Sequence, residues 1–387
     1  MLNIFTAYSV TINSMIEQKW MDFFHHLQDK AHSFIDDEQL TERLTARYHF
    51  LFSQFSDDTK KDDPHQKGWL EHEAVTFVLG DLLSSETFTA DEYRALFLAL
   101  MQARLSQVAL TALNKAQSVM PADEVALKQG LVFQSMGDHE HSKESIEKAC
   151  QLNPENHLAF FHYGFLLLLT GGVEQATAAF KTCTELAPDF VGGFQNLAGC
   201  YYQQSEFQLA VENCEKAYQI QADIPSSYIT ALSCNLAMGD LDNAAIWLER
   251  AREQGIDDLE IDRLHALYAA GREDHETAVE LFSKYLDNTE PSLDILHFRG
   301  RSLAALGRWE ALLETLPALL GVDPSDAWCL ENLFLAHFHL QQWTEADQVM
   351  NSLLQMSEHY AHRFRDELQE LNRNFAKPLS LVDSETC

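Results

Sequence analysis

The 387-residue sequence has few of the residues that form tight turns, with 9 prolines and 16 glycines. An all-β chain of this length needs many such turns, so a β-sandwich or β-barrel is disfavoured. Basic residues are also scarce, since 27 Lys and Arg stand against 59 Asp and Glu, a formal net charge of −32. This charge repels phosphate backbones and anionic lipid. We therefore expect no nucleic-acid or membrane partner, and instead a protein or peptide partner that is apolar or basic.

Long apolar runs are missing too. The longest strongly apolar stretch lies around residues 165–169 and is far too short to span a bilayer. No basic residue precedes Lys19, and polar residues interrupt the first apolar positions, which is unlike a secretory signal. The 7 cysteines include no C-x-x-C pair, a pattern typical of small buried side chains in a reducing compartment. The sequence predicts a cytoplasmic protein.

The signatures of catalysis are absent as well. There is no phosphate-binding loop, no G-x-G-x-x-G segment and no G-x-S-x-G elbow. His72-Glu73 begins like a zinc-protease helix, but Thr76 stands where the second histidine is required. Several histidines are close in sequence without a third or fourth metal ligand nearby: His139 and His141, His337 and His339, and His359 and His362. We predict a protein that is not an enzyme, with no catalytic residue, no cofactor and no metal site.

The sequence does contain an internal repeat of 34 residues. Pro154 and Pro188 are one step apart, and each follows a similar segment. In the segment that begins at His157, the residues at places 4, 7, 8, 11, 15, 20, 24, 27 and 32 are Phe160, Tyr163, Gly164, Leu167, Gly171, Ala176, Phe180, Cys183 and Pro188. This pattern resembles the tetratricopeptide repeat (TPR), W-x2-L-G-x2-Y…A-x3-F…P. The resemblance implies antiparallel helix pairs stacked into an α-solenoid.

The repeat recurs along most of the chain and predicts an all-α fold, an α-solenoid of about seven to eight TPR hairpins. Small residues at places 8 and 20 let the two helices of a pair approach, and proline at place 32 ends the second helix. In the weakest copy the glycine near the turn, Gly271, is out of register. The predicted copies are 89–122, 123–156, 157–190, 191–224, 225–258, 259–292, 293–326 and 327–360.

The two ends of the chain differ from this array. Residues 1–88 show helical periodicity without the 34-residue step and predict an N-terminal helical region, a bundle or a cap, with a polar linker near 57–67. Residues 361–375 are typical of a helix that caps the last hairpin, and 376–387 of a flexible tail.

In the TPR family, places 2, 5, 9, 12 and 13 of each first helix line the concave groove. Here these places are unusually apolar, and Gly192, Gly193 and Gly199 leave room for a ligand side chain. Such a surface indicates a partner site for a peptide with apolar anchors. The alternative is burial by tight superhelical closure or by the N-terminal segment. The candidate groove residues are Leu127, Leu131, Leu158, Phe161, Phe165, Leu168, Gln195, Gly199, Tyr202 and Ile229.

These residues also exclude one known type of TPR ligand. TPR modules that hold the C-terminal carboxylate of heat-shock chaperones use Lys at place 5 and Asn at place 9. Neither residue stands at those places in the three repeats after residue 122. Further along the chain, Arg263, His297 and Arg301 predict either a small basic spot or ordinary solvated charges.

The predicted function is a non-catalytic interaction scaffold or adaptor. Over residues 123–224 the apolar lining is loosely similar to TPR chaperones that hold amphipathic clients. An alternative is a signalling regulator that acts through its N-terminal helices, because the layout is similar to Rap-type response-regulator phosphatases. The 34-residue step is tighter than in that family, and no catalytic glutamine can be placed on a matching motif.

Overall fold

The computed structural model describes Leu83 and residues 88–374, without Ala103 and without the side chain of Ala99. Apart from Leu83 and Phe88, the predicted N-terminal region of residues 1–88 and its polar linker lie outside the described residues. The predicted tail of residues 376–387 also lies outside them.

Within the described residues all regular structure is helical, with 18 helices and no strand. The first seven are α1 (Ala90–Gln102), α2 (Ser106–Ala116), α3 (Ala122–Ser135), α4 (His139–Leu152), α5 (His157–Leu169), α6 (Val173–Leu186) and α7 (Val191–Gln203). They are followed by α8 (Phe207–Ile220), α9 (Pro225–Met238), α10 (Leu241–Glu253), α11 (Leu259–Gly271), α12 (His275–Asn288), α13 (Leu293–Ala305), α14 (Trp309–Leu320), α15 (Ala327–His339), α16 (Trp343–Met356), α17 (His359–Arg363) and α18 (Arg365–Asn374).

These helices form consecutive hairpins, and α5 through α15 supply a first helix every 34 residues. The predicted all-α solenoid is confirmed. The chain divides into two units, one ending at Cys200 and one beginning at Tyr201, and each is described by itself. The prolines at place 32 follow helix ends: α4, α6 and α14 stop at Leu152, Leu186 and Leu320, before Pro154, Pro188 and Pro324.

Small residues bring the two helices of most hairpins together. A Cβ atom added to Gly130 would lie 2.4 Å from Cγ1 of Ile146, and one added to Gly164 would lie 2.8 Å from the ring of Phe180. Place 20 is fully buried in each of seven hairpins, whose residues are Ser142, Ala176, Ala210, Ala244, Ala278, Leu312 and Ala346. The repeat pattern therefore reflects the close packing of helix on helix.

The turn inside each hairpin requires a left-handed backbone at place 15. Four hairpins use glycine there: Gly137, Gly171, Gly239 and Gly307, with φ between 64° and 80°. Three hairpins use Ser205, Glu273 and Gln341, with φ of 62°, 62° and 56°. In the weak copy the left-handed residue is thus Glu273, while Gly271 is the last residue of α11. The register of this hairpin is intact, and only its glycine is missing.

At the end of the second unit, α17 and α18 lie against the last hairpin. Phe364, Leu368 and Leu371 are buried in one cluster with Phe334 and Met350. Arg363 of α17 also forms an ion pair of 2.6 Å with Glu331 of α15, whose side chain is largely buried. Two short helices therefore occupy the segment for which the sequence predicts one capping helix. None of the helices in the described part of the chain is long and apolar enough to cross a lipid bilayer.

Candidate functional site

Helix α5 combines high apolar content with a complete absence of charged residues. Its sequence, HLAFFHYGFLLLL, contains no Asp, Glu, Lys or Arg, in a chain of net charge −32. Burial lowers the pKa of His162, which favours its neutral form. Asn156 caps the helix, since its side-chain oxygen accepts a hydrogen bond from the backbone N–H of Ala159 at 3.1 Å. The helix start is therefore fixed by a polar residue that lies outside the apolar run.

One side of α5 is committed to packing inside the first unit. Ala159 and Leu166 are buried in a cluster with Ile146. Gly164 is also buried and meets the ring of Phe180 from α6. Packing within the fold therefore accounts for the apolar residues on this side of α5.

The other side of α5 is apolar without being covered. Leu158, Phe165 and Leu169 are 41%, 41% and 56% exposed, while Phe161 and Leu168 between them are half-buried. The spacing of three or four residues places all five on one helix face. We call Leu158, Phe161, Phe165, Leu168 and Leu169 the α5 face. Within the first unit it is an exposed apolar surface of the kind that marks interaction sites.

Aromatic contacts hold the inner edge of this face in place. The ring of Phe161 lies 5.1 Å from that of Phe190 and 5.9 Å from that of Phe180, both in edge-to-face orientation. Phe190 directly precedes α7, so Phe161 connects α5 to the next hairpin. Such pairs add about 0.5–1.5 kcal/mol beyond area burial. Phe161 is therefore both a groove residue and a packing residue.

The three glycines of α7 differ in what surrounds them. A Cβ atom on Gly193 would lie 3.0 Å from Thr184, and one on Gly192 would lie 3.1 Å from Phe190. On Gly199 it would meet nothing within 4 Å. Of the glycines expected to leave room for a ligand, only Gly199 borders open space, whereas Gly192 and Gly193 allow close packing.

The structure places the other predicted groove residues in different environments. Leu127 is buried in a core cluster with Ile146 and Ala159, because α5 packs closely against it, so it does not belong to an accessible surface. The remaining five are half-buried or exposed: Leu131, Gln195 and Gly199 in the first unit, and Ile229 and Tyr202 in the second.

In the second unit the predicted basic spot is largely compensated. Nε of Arg263 donates to Glu260 at 2.9 Å, and Nε2 of His297 lies 3.5 Å from the Asp326 carboxylate. The guanidinium of Arg301 lies 5.9 Å from the ring of Trp328. Arg263 is thus paired with a carboxylate and His297 faces another, which argues against a free basic patch at these two residues.

One cluster of potential ligand groups has no counterpart in the sequence predictions. His297, Asp326 and Cys329 each offer one atom, and these three atoms lie within 4.8 Å of one another. Asp326 and Cys329 are 29 and 32 residues after His297, so local spacing gives no signal. The repeat itself could have given one, since place 5 of a hairpin lies beside the start of the next hairpin.

Comparisons with known proteins find the same helical repeat in part of the chain. Residues 124–156 match the family model of the tetratricopeptide repeat. A stretch of 117 residues is 27% identical to the peroxisomal targeting signal receptor of Saccharomyces cerevisiae. This match covers 29% of the chain and 19% of the receptor, so the chain spans about a fifth of the length of this relative.

Solved structures of helical repeat proteins are similar to parts of the chain. PilF of Pseudomonas aeruginosa is 20% identical, with a TM-score of 0.48, over 57% of this chain and 99% of that one. A tetratricopeptide repeat protein from Parabacteroides merdae is 13% identical, with a TM-score of 0.45, over 65% and 99% of the two chains. The repeated helix pairs, with the family match at residues 124–156, support a tetratricopeptide repeat protein.

Proposed function

We propose that the protein is a non-catalytic interaction scaffold whose α5 face binds a segment of another protein through apolar side chains. One observation carries the proposal: three large apolar side chains are exposed on a helix without a charged residue. Leaving such a surface in water is unfavourable, and a partner that covers it recovers about 25 cal/mol per Å² of apolar area.

The composition of this surface indicates what the partner segment contains. Aromatic and aliphatic side chains without charged neighbours favour apolar anchors over a charged motif. The open space at Gly199 can accommodate a side chain of the partner segment. The net charge of −32 favours basic residues on either side of the anchors. This description fits an amphipathic segment, and hence a chaperone-like role for an apolar client.

Two further observations agree with this role. The yeast relative is, by its name, a receptor for a targeting signal, which is a function of recognising other proteins. The six cysteines in the described residues are unpaired, which suits a reducing compartment such as the cytoplasm. The signalling alternative is based on the layout of the sequence and depends on residues 1–88, nearly all of which lie outside the described residues.

A site-specific crosslink tests the proposal directly. A photo-crosslinking amino acid at Phe165 is expected to capture a partner segment in cells, and the same group at Ile246 is the control. Ile246 is 50% exposed and lies on α10, a second helix of the other unit. A synthetic peptide of the captured segment then gives a dissociation constant with the purified full chain.

The double variant Phe165→Glu/Leu168→Glu is expected to weaken peptide binding by about thirtyfold or more, because two apolar anchors lose their contacts. The matched control, Ile246→Glu/Val322→Glu, adds two charges at exposed apolar residues elsewhere and is expected to bind normally. Equal binding by both variants would show that the α5 face is not the site. Loss of helicity in the first variant alone would show that the face belongs to the core.

A further inference from the structure

Three different metal-ligating groups meet where two hairpins of the second unit join. His297 lies on α13, Asp326 caps α15, and Cys329 lies in the first turn of α15. A ring nitrogen, a carboxylate oxygen and a sulfur atom lie within 4.8 Å of one another. The cluster is distinct from the α5 face, which belongs to the first unit.

The carboxylate of Asp326 orients the cluster. One oxygen, Oδ1, accepts a hydrogen bond from the backbone N–H of Cys329 at 2.8 Å. The other, Oδ2, lies 3.5 Å from Nε2 of His297, longer than the 2.7–2.9 Å or so of a charge-assisted hydrogen bond. Capping therefore uses only one oxygen, and the second faces the imidazole without a close bond.

The other two groups are held by packing. Cys329 is fully buried, so its thiol has one fixed environment. The imidazole of His297 lies 4.6 Å from the ring of Trp328, which limits its rotation. The guanidinium of Arg301 lies 5.9 Å from the ring of the same tryptophan. The histidine nevertheless remains half-exposed, which leaves an entry path from solvent.

The donor set selects a class of ion. Mixed nitrogen, oxygen and sulfur ligands suit Zn²⁺ and similar transition ions, at roughly 2.0–2.3 Å from the metal. Mg²⁺ and Ca²⁺ prefer oxygen ligands alone. A tetrahedral ion needs donor atoms roughly 3.3–3.8 Å apart. Nε2 of His297 and Oδ2 of Asp326 already lie 3.5 Å apart, so only atoms near the 4.8 Å limit must approach, by about 1 Å.

We propose that His297, Asp326 and Cys329 bind a divalent transition ion of the Zn²⁺ class, with water at the fourth position. The bound ion links α13 to α15 and so stabilises the contact between two consecutive hairpins. Such an ion stabilises the folded chain by RT ln(1 + c/Kd), where c is the free ion concentration, so the gain rises with the logarithm of c once c exceeds Kd.

Cobalt(II) provides a test that the many other histidines cannot mimic. Added to the untagged full chain, Co²⁺ is expected to give the near-ultraviolet band of a cobalt–thiolate bond and the visible bands of a tetrahedral site. Cys329→Ser is expected to abolish the thiolate band. Cys234→Ser, which removes another fully buried thiol of the same unit, is the matched control and is expected to keep it.

Zinc affinity and thermal stability give independent readouts. In chelator competition, His297→Gln is expected to weaken Zn²⁺ binding by about tenfold or more, since removal of even an outer partner of a ligand has that effect. Zn²⁺ is expected to raise the Tm of the wild type and of Cys234→Ser, but not of His297→Gln. If Cys329→Ser fails to fold, the zinc affinity and the Tm of His297→Gln test the proposal.

Two results would overturn the proposal. One is the absence of a thiolate band in the wild type, in which case Asp326 serves only as a helix cap. The other is Zn²⁺ binding by His297→Gln that is as tight as in the wild type. Neither result bears on peptide binding at the α5 face.

Discussion

Helices α5 and α13 occupy the same place in their hairpins, and their inward sides follow the same rule. Each has a buried glycine at place 8, Gly164 and Gly300, beside which the second helix or the next hairpin packs. Each is followed by a left-handed glycine, Gly171 and Gly307, with φ of 80° and 64°. The repeat therefore fixes the positions that shape the hairpin.

Their outward sides have different chemistry. At places 2, 5 and 9, α5 has Leu158, Phe161 and Phe165, whereas α13 has Asp294, His297 and Arg301. On α13 even Arg299 is used internally, since it donates to Ser283 and Thr315 at 3.0 and 2.8 Å. An exposed groove position such as place 9 can therefore vary with little effect on the hairpin. Place 5 is different, because Phe161 also packs against Phe180 and Phe190. One fold can carry an apolar surface in one unit and a polar cluster in the other.

The largest effect is expected at the inward glycines. In Gly164→Ala the new Cβ would be 2.8–2.9 Å from three atoms of the buried Phe180 ring. Overpacking costs about 1–3 kcal/mol, which the gain in helix propensity of up to about 1 kcal/mol offsets only in part. Urea denaturation, with hydrogen exchange of α5 as a local readout, should show a clear loss of stability.

The control for this prediction is Gly300→Ala. Its new Cβ would come within 3.1 Å only of the ring edge of Trp328, which is half-buried and can shift. The free energy of unfolding is expected to change by less than about 0.5 kcal/mol, because propensity and contact nearly cancel. Equal losses in both variants would mean that the two hairpins are packed alike.

The turn glycines should behave identically in both hairpins. Gly171→Ala and Gly307→Ala are each expected to lose about 1 kcal/mol, since a side chain disfavours the left-handed backbone. Glu273→Gly, at the equivalent turn, is expected to stabilise by about the same amount. The midpoint of urea denaturation measures the stability of all three variants. A destabilising Glu273→Gly would show that its φ of 62° carries no strain.

These comparisons show what the sequence could predict. The 34-residue step gave the hairpins correctly because small residues and turns recur wherever helices must approach. It marked the copy at 259–292 as the weakest because its turn has no glycine in register, and there Glu273 takes the left-handed conformation that glycine usually marks. Leu127 was assigned to the groove by its place, but its burial depends on how closely α5 packs, which periodicity does not encode. The cluster around Cys329 needed contacts between hairpins.

A smaller effect concerns a groove position that carries a charge. At place 2 of α3, Glu124 accepts hydrogen bonds from Arg94 at 2.8 and 2.6 Å, which holds the pKa of Glu124 below its usual value. A lowered pKa contributes stability above the unfolded pKa of about 4.3, and this stability is lost as the pH falls through the folded pKa.

Glu124→Gln is therefore expected to lose about 0.5–1 kcal/mol at pH 7, with a smaller difference from the wild type below about pH 4. Urea midpoints across this pH range measure it, and Glu174→Gln is a control because Glu174 is exposed. A difference that grows on acidification would contradict the ion-pair explanation. The ion pair with Arg94 would then not explain why place 2 is Glu124 on α3 and Leu158 on α5.

The smallest effect is expected from exchanging the outward residues at place 9. Phe165→Arg and Arg301→Phe are each expected to change the free energy of unfolding by less than about 0.5 kcal/mol, because both side chains are exposed. Phe161→Ala is the contrasting variant. It removes the ring contacts with Phe180 and Phe190 and should cost about 1–2 kcal/mol, because the ring is only half-buried. If Phe165→Arg cost as much as Phe161→Ala, the α5 face would be core rather than surface. A neutral exchange at both helices would mean that these positions are available for recognition in either unit.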